Sequence, residues 1–324
     1  MASLRIMRAY CIELREVVTI TQARIEFLSR EPLLSRFHFL CSDEKCREKG
    51  VRVIGVNYRE NAQESVKHVT AHYREQDTHL PGCEWQHEED TEGPDGLLPG
   101  ESEDTARKRK ARRKLNDFID VFDPTDHDGT KPAETEKSPI DYGGIGVPVS
   151  GGGQARGNND SELTGVNRTN DLERLVESFR DAKEKLSDEE FSTLELQVKG
   201  IGKIKLKHYF QRLNYSKTWS THRIIYGGAI LDKRYGQGFR LKFYDTVEGK
   251  PVFLYVSPAM MKEYRHRKYL DGILSKVDEV RFLRVYALGH FEEAPGESDG
   301  LNLVISHLRH LAIVLGPTKN KATR

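Results

Sequence analysis

Three cysteines and one histidine in the N-terminal quarter carry ligand chemistry. Cys41 and Cys46 are separated by four residues, and His79 and Cys83 by three, with 32 residues between the two pairs. Thiolate sulfur and imidazole nitrogen are what zinc prefers, and two short ligand loops can close a tetrahedron around one ion. All four positions are then filled by protein, so the predicted ion is structural, since a catalytic zinc keeps one position open for water. His68, His72 and His87 are alternative nitrogen ligands in place of His79. Cys11 stands apart in the strand-like run Ala9–Ile20 and reads as a small buried residue.

The intervening residues supply elements to hold these loops. Val51–Val56 is strand-like, and Ser65–Tyr73 suits either helix or strand. So short and polar a segment needs a metal to fold around.

Arg36-Phe37-His38-Phe39-Leu40-Cys41 opening onto Cys46, with His72-Tyr73-Arg74 and His79-Leu80-Pro81-Gly82-Cys83, resembles the zinc-ribbon region of CoiA-like competence proteins. The resemblance covers roughly residues 9–87. It implies a setting in DNA uptake, mobile elements or phage defence, and a following nuclease-like domain whose active strand carries Glu-x-Gln or Glu-x-Lys. Leu194-Glu195-Leu196-Gln197-Val198-Lys199 echoes that strand, which makes Glu195 a candidate catalytic carboxylate. Metal-dependent phosphodiester cleavage needs two or more carboxylates converging on an ion, and no partner for Glu195 is identifiable in the sequence. Ile140-Asp141-Tyr142 lies in a Gly-rich stretch unsuited to a rigid core.

The last third is the most regular part. Strand-like runs at Arg223–Leu231, Phe239–Val247 and Pro251–Val256 are followed by a helical stretch, Pro258–Lys276, and by strands at Val280–Glu292 and Leu301–Val314. Three strands, a helix and two strands is the element order of the OB-fold, a five-stranded barrel that binds oligonucleotides or oligosaccharides. Alternation places Phe239, Leu241, Phe243, Val252, Leu254 and Val256 inside, and Arg240, Lys242, Tyr244, Phe253 and Tyr255 outside. Rings that stack bases, interleaved with cations that pair phosphates, are what single-strand binding needs. The alternative is a solvated or protein-docking face. Lys and Arg number 14 over residues 223–317 against 11 Asp and Glu, only mildly basic, which favours single-stranded over duplex contact. In the helical stretch, Arg265-His266-Arg267-Lys268 reads as the solvated side opposite Tyr264, Tyr269, Leu270, Ile273 and Leu274.

A net charge of +1 hides segregation. Residues 88–104 hold eight acidic residues and no Lys or Arg. The next ten include Arg107, Lys108, Arg109, Lys110, Arg112, Arg113 and Lys114. This basic block has the charge density of a nucleic-acid-binding segment and is equally suited to pairing with the acidic run before it. Residues 124–168, rich in Gly, Pro, Asp, Asn and Thr, lack the apolar content of a core. Between them, Leu115, Phe118, Ile119 and Phe122 fall at helical spacing, as a short docking anchor would.

Residues 170–186 form the clearest helix, and Asp188-Glu189-Glu190 starts another. Gly200-Ile201-Gly202-Lys203 reads as a turn. The basic and aromatic run from Lys205 to Trp219 leads into the barrel and is placed to extend its surface. No apolar run is long enough to span a bilayer and no secretory leader is evident. Clustered cysteines without an export signal point to the cytoplasm.

The expected fold is multidomain α+β. It comprises a small β-rich, zinc-stabilised domain (1–87), a disordered charged linker (88–168), a helical connector (169–222) and an OB-like five-stranded barrel with one helix (223–317). The expected function is non-catalytic binding of single-stranded DNA or RNA. The alternatives are a protein-interaction subunit docking on a larger enzyme, and a metal-dependent nuclease using Glu195. No catalytic triad, phosphate-binding loop or dinucleotide fingerprint is present.

Overall fold

A computed structural model describes residues 6–32, 34–64, 70–85, 102–115, 117–125, 167–294 and 300–319. Among the described residues it is a mixed α+β structure with three sheets and three apolar clusters, the middle one shared with Ile224, Tyr286 and Val314 of the C-terminal sheet.

In the N-terminal unit, β1 (Arg8–Cys11) and β2 (Glu16–Thr19) make a hairpin in the region read as one strand. They are followed by α1 (Ile20–Ser29), β3 (Phe39–Cys41), α2 (Glu44–Glu48), β4 (Arg52–Val56) and β5 (His72–Glu75). The antiparallel sheet runs β2-β1-β3-β4-β5. Thr19 starts α1 with a reciprocal capping box to Gln22. Phe27, Phe37, Phe39 and Tyr58 meet edge-on or stacked at centroid distances from 5.2 to 6.3 Å and fill the core beside the sheet. Cys11 is buried in that core, as expected.

The middle unit corrects the linker boundary. Residues 102–113, assigned by composition to a disordered linker, form α3 (Glu103–Arg113), capped by Ser102, with Ala106 and Ala111 buried. Charge density hid the helix because only two small residues make its buried stripe. Leu115, Phe118, Ile119 and Phe122 do dock, all buried, but the described residues leading into β6 (Val121–Phe122) form no helix. Residues 88–101 and 126–166 lie outside the described residues, as does Ile140-Asp141-Tyr142. The chain continues through β7 (Arg168–Thr169), α4 (Leu172–Lys185), α5 (Asp188–Thr193), β8 (Glu195–Val198), β9 (Gly202–Lys205) and α6 (Leu206–Tyr209). The two predicted helices are α4, capped by Asp171, and α5, with a Ser187–Glu190 capping box. The connector is more than helical, because it carries a sheet of order β7-β6-β8-β9 in which β6 runs parallel to both neighbours. Phe122, Leu196 and Val198 face the buried side of this sheet, in one cluster with Leu172, Leu175 and Val176 of α4.

The C-terminal sheet has eight strand segments where five strands were expected. They are β10 (Phe210–Arg212), β11 (Ile224–Tyr235), β12 (Gly238–Val247), β13 (Lys250–Val256), β14 (Leu283–Leu288), β15 (His290–Glu293), β16 (Leu301–Val304) and β17 (Leu311–Leu315). The hydrogen-bonded path is β15-β16-β13-β12-β11-β14-β17, with β10 added parallel to β11. Two of the three extra segments come from breaks in the last two predicted strands, and the third, β10, lies in the run before the expected barrel. Gly289 separates β14 from β15, and a Cβ there would lie 2.1 Å from the Val304 carbonyl oxygen, so only glycine lets the chain pass that close. Ile305–His310 separates β16 from β17. The single predicted helix likewise divides, into α7 (Pro258–Glu263) and α8 (Arg267–Leu274).

The N-terminal unit rests on the C-terminal one through α1 and α8. Arg265 and Lys268, expected on a solvated side, pair with Glu26 at 2.6 Å and Glu31 at 2.5 Å. A polar layer lies beneath. Arg24 pairs with Glu177, Thr21 donates to Glu177 at 2.7 Å, and the Tyr269 hydroxyl donates to Glu173.

Burial, with Asp171 nearby, pushes Glu173 up to about 7 despite the Tyr269 hydroxyl, Arg24 and Arg180. Its folded value lies above the ordinary carboxylate value, so its contribution to stability is complete below about pH 4.5 and is lost as pH rises through about 7. Linkage puts the loss at about 3 kcal/mol. Urea unfolding between those limits should therefore show stability falling with pH, and Glu173→Gln should flatten that part of the profile. A profile that Glu173→Gln leaves unchanged would remove Glu173 as its source.

Candidate functional site

The four predicted metal ligands converge. Cys41 ends β3, and Cys46 sits in α2, whose N-cap Asp43 accepts from the Cys46 N–H at 2.9 Å. His79 and Cys83 flank a turn in which Gly82 has φ +82°, the left-handed region that glycine enters without steric cost. All four side chains are buried, and their ligand atoms lie within 4.8 Å of one another. The Cys41 and Cys83 sulfurs are 3.6 Å apart, and Cys83 Sγ is 3.4 Å from His79 Nδ1. A tetrahedron with ordinary zinc bond lengths has edges of about 3.8 Å between sulfurs and about 3.5 Å between sulfur and nitrogen. These spacings fit an ion at the centre, and the four residues can bind a metal ion compatible with zinc.

Further contacts fix the sulfurs. The Leu80 N–H donates to Cys46 Sγ at 3.2 Å and the Trp85 N–H to Cys83 Sγ at 3.4 Å. The Trp85 indole donates to Ser42 at 2.6 Å, and Trp85 is itself buried. Burial pushes the Cys83 thiol up to about 11 and the Cys41 thiol higher, while it lowers His79. Buried thiols and a buried imidazole crowded this closely gain a common counter-charge from a cation, which converts the sulfurs to thiolate. Of the alternative ligands, His72 lies on β5 with Nδ1 2.9 Å from the Thr70 carbonyl, and His68 and His87 lie outside the described residues.

On the C-terminal sheet, the alternation reads as expected inside. Phe239, Leu241, Phe243, Val252, Leu254 and Val256 are all buried in one cluster. Outside, Tyr244 is 58% exposed, Tyr255 44% exposed, and Lys242 is exposed. Phe253 is the correction. It lies on the outer side, opposite Lys242, yet only 3% is exposed, because the Arg240 guanidinium covers its ring at 4.6 Å and the Lys242 ammonium lies at 5.9 Å. A base cannot stack on a ring already capped by cations. Arg240 is itself drawn to Asp232 at 2.5 Å.

Tyr235, which ends β11 before the Gly236 turn, meets Tyr255 edge-on at 5.5 Å and is 38% exposed. The expected strand Arg223–Leu231 stopped short of it; its signal was an aromatic residue next to a tight hairpin. Tyr215 and Trp219, in the run before β11, are 71% and 77% exposed.

Glu195 on β8 is held between two lysines, Lys108 of α3 at 2.8 Å and Lys203 of β9 at 2.9 Å, which lower its pKa. Two carboxylates flank β6 on the neighbouring strand: Asp120 just before it, engaged by Arg112, and Asp123 just after it, level with Lys199. That is four residues from Glu195 along β8, or about 13 Å, too far for one ion. Asp123 is 1% exposed and takes hydrogen bonds from Lys199 at 2.8 Å, Thr125 at 2.7 Å and Arg168 at 2.6 Å. Burial opposes its ionisation, but these donors prevail and hold it well below the usual carboxylate range. Asp123 was missed because the β6–β8 pairing that brings it to Lys199 joins segments 76 residues apart.

The basic block is brought to this sheet and not to the C-terminal one. Lys108 reaches Glu195, Arg112 reaches Asp120 at 3.0 Å, Lys114 reaches Glu190, and Arg107 pairs with Asp104 within α3 at 3.9 Å. Arg109 and Lys110 lie on the same helix, and each is engaged in an interaction of its own.

Neither a protein-family model, a curated protein nor a solved structure matches the chain. No described helix is long and apolar enough to cross a membrane.

Proposed function

We propose that the C-terminal unit is an OB-like barrel that binds single-stranded DNA or RNA, and that the N-terminal site holds structural zinc. The observation that carries the binding reading is the exposure of Tyr244 and Tyr255 beside Lys242, on the side of β12 and β13 opposite their buried residues. Aromatic faces accept bases of any sequence, and neighbouring cations track phosphates.

The strand pairings support the barrel. β11, β12 and β13 form an antiparallel meander, β13 pairs parallel with β16, β16 antiparallel with β15, and β14 antiparallel with β11. Because β14 and β15 are consecutive across Gly289, the chain passes directly from the strand next to terminal β17 to β15 at the opposite end of the path. Helices α7 and α8 lie between the third and fourth strands, where the OB-fold has its helix. The zinc reading is supported by a closed Cys3His set with tetrahedral spacing.

Tyr244→Ala and Tyr255→Ala should each weaken binding of a labelled single-stranded oligonucleotide by about 1–3 kcal/mol, roughly 5- to 150-fold, in fluorescence anisotropy. Phe253→Leu should have a smaller effect, because its ring is already covered. Full affinity in a folded protein carrying both tyrosine substitutions would rule the face out as a stacking platform.

A further inference from the structure

The register of the middle sheet puts one row of side chains on its outer face. Arg168 pairs with Val121, Val121 with Gln197, and Gln197 with Lys203. Side chains two residues along β8 and β9 share that face, which adds Lys199 and Lys205. The other face is apolar and closed, since Phe122, Leu196 and Val198 are fully buried. The outer face is therefore open to solvent, with Lys203 at 67%, Lys199 at 58% and Arg168 at 48% exposure.

The charges on it do not cancel. Asp123 is bound by Arg168 and Lys199, and Glu195 by Lys108 and Lys203. Each carboxylate thus fixes two cationic heads and neutralises only one. Lys205 is exposed and pairs in register with Glu195 across the hairpin. A cationic excess is held in place at low cost in side-chain entropy, because the carboxylates orient it before any ligand arrives. α3 continues the cationic surface beside the sheet, anchored by its Lys108–Glu195 contact.

The hairpin tip adds geometry. Gly200 and Gly202 have φ of +83° and +103°, and nothing stands within 4 Å of where their Cβ atoms would be. Ile201 between them is 43% exposed. A bare backbone turn flanked by Lys199 and Lys203 can approach a polymer chain more closely than a turn with side chains.

We propose that this outer face, with α3 at its side, is a second nucleic-acid contact that binds the sugar-phosphate backbone independently of sequence. Charge complementarity selects the occupant: a fixed row of cations across three strands matches a ligand whose negative charges repeat along a line. The face belongs to a different sheet from Tyr244 and Tyr255, so it stands or falls apart from the stacking reading. Together the two surfaces give one protein a base-stacking contact and a phosphate contact on the same strand or on two.

The test uses the full chain and labelled single-stranded and duplex DNA, with binding measured at about 50 and about 200 mM salt. The triple variant Lys199→Gln, Lys203→Gln, Lys205→Gln leaves Arg168 on Asp123 and Lys108 on Glu195, which protects the fold. Each lost phosphate contact lowers the slope of log K against log salt by about 0.7–0.9, so the triple variant should lose about 2 in slope and bind more weakly at low salt. The single variant Lys205→Glu, at an exposed position, should show a smaller change in the same direction. The corresponding Lys→Arg triple variant should retain the wild-type slope. Tyr244→Ala should lower affinity with the slope preserved, and if it has no effect while the triple variant does, the stacking reading fails and this one holds. An unchanged slope in a triple variant that melts like wild type would overturn the proposal. So would a loss confined to an acidic peptide probe such as poly-glutamate, which would make the face a protein contact.

Discussion

Removing the metal should collapse the N-terminal unit around Trp85. The protein has two tryptophans, and they report on different places. Trp85 is 8% exposed and hydrogen-bonded to the ligand loops through Ser42 and Cys83, whereas Trp219 is already 77% exposed. A zinc chelator should therefore shift the emission to the red almost entirely through Trp85, and restoring zinc should reverse the shift. Structural zinc supplies about 10–16 kcal/mol of apparent binding free energy in small domains, more than the whole stability of most folded units of this size. Elemental analysis should find one zinc per chain. Cys46→Ala should abolish it, whereas Cys11→Ala, a substitution at an equally buried cysteine outside the cluster, should keep it. Protein that purifies without metal and whose emission ignores both chelator and zinc would disprove the assignment.

That site was legible from sequence because both ligand pairs are local. Cys41 and Cys46 span one β3–α2 connection and His79 and Cys83 one turn, so only a single long-range closure, across β3, β4 and β5, had to be supplied. The alternation in β12 and β13 was legible for a related reason, since a half-buried strand writes its faces directly into period two. The fate of Phe253 was not. Alternation assigns a side but says nothing about what lies over it, and Arg240 and Lys242 are drawn across the ring as cations are to an aromatic face. The role of α3 was hidden by composition, because the acidic and basic blocks that resemble a linker become a helix once Ala106 and Ala111 find an apolar surface. Asp123 was hidden by topology. Parallel pairing of β6 with β8 spans the α4 connection, and nothing local to Phe122-Asp123-Pro124 announces it.

Arg24→Met should cost about 3–5 kcal/mol of stability, the largest loss expected from a single substitution outside the metal site. Arg24 is 1% exposed on α1 and its guanidinium is paired with Glu177 of α4, which is itself buried. Among the described residues, removing the cation leaves the buried Glu177 carboxylate with only the Thr21 hydroxyl, at 2.7 Å. A buried charge that loses its partner retains its full desolvation cost, whereas a pair removed together loses both cost and compensation. The double variant Arg24→Met, Glu177→Leu should therefore recover most of the loss. The same comparison shows how the units are joined. Arg24 belongs to the N-terminal unit, Glu177 and Glu173 to the middle one, and Tyr269 to the C-terminal one, so this polar layer couples all three sheets. In urea unfolding followed at Trp85 and by far-UV circular dichroism, Arg24→Met should separate the two transitions, since the metal still holds the N-terminal unit while its junction is weakened. A double variant as unstable as the sum of its single variants, or an Arg24→Met protein as stable as wild type, would mean that the buried pair is not the fastening of this junction.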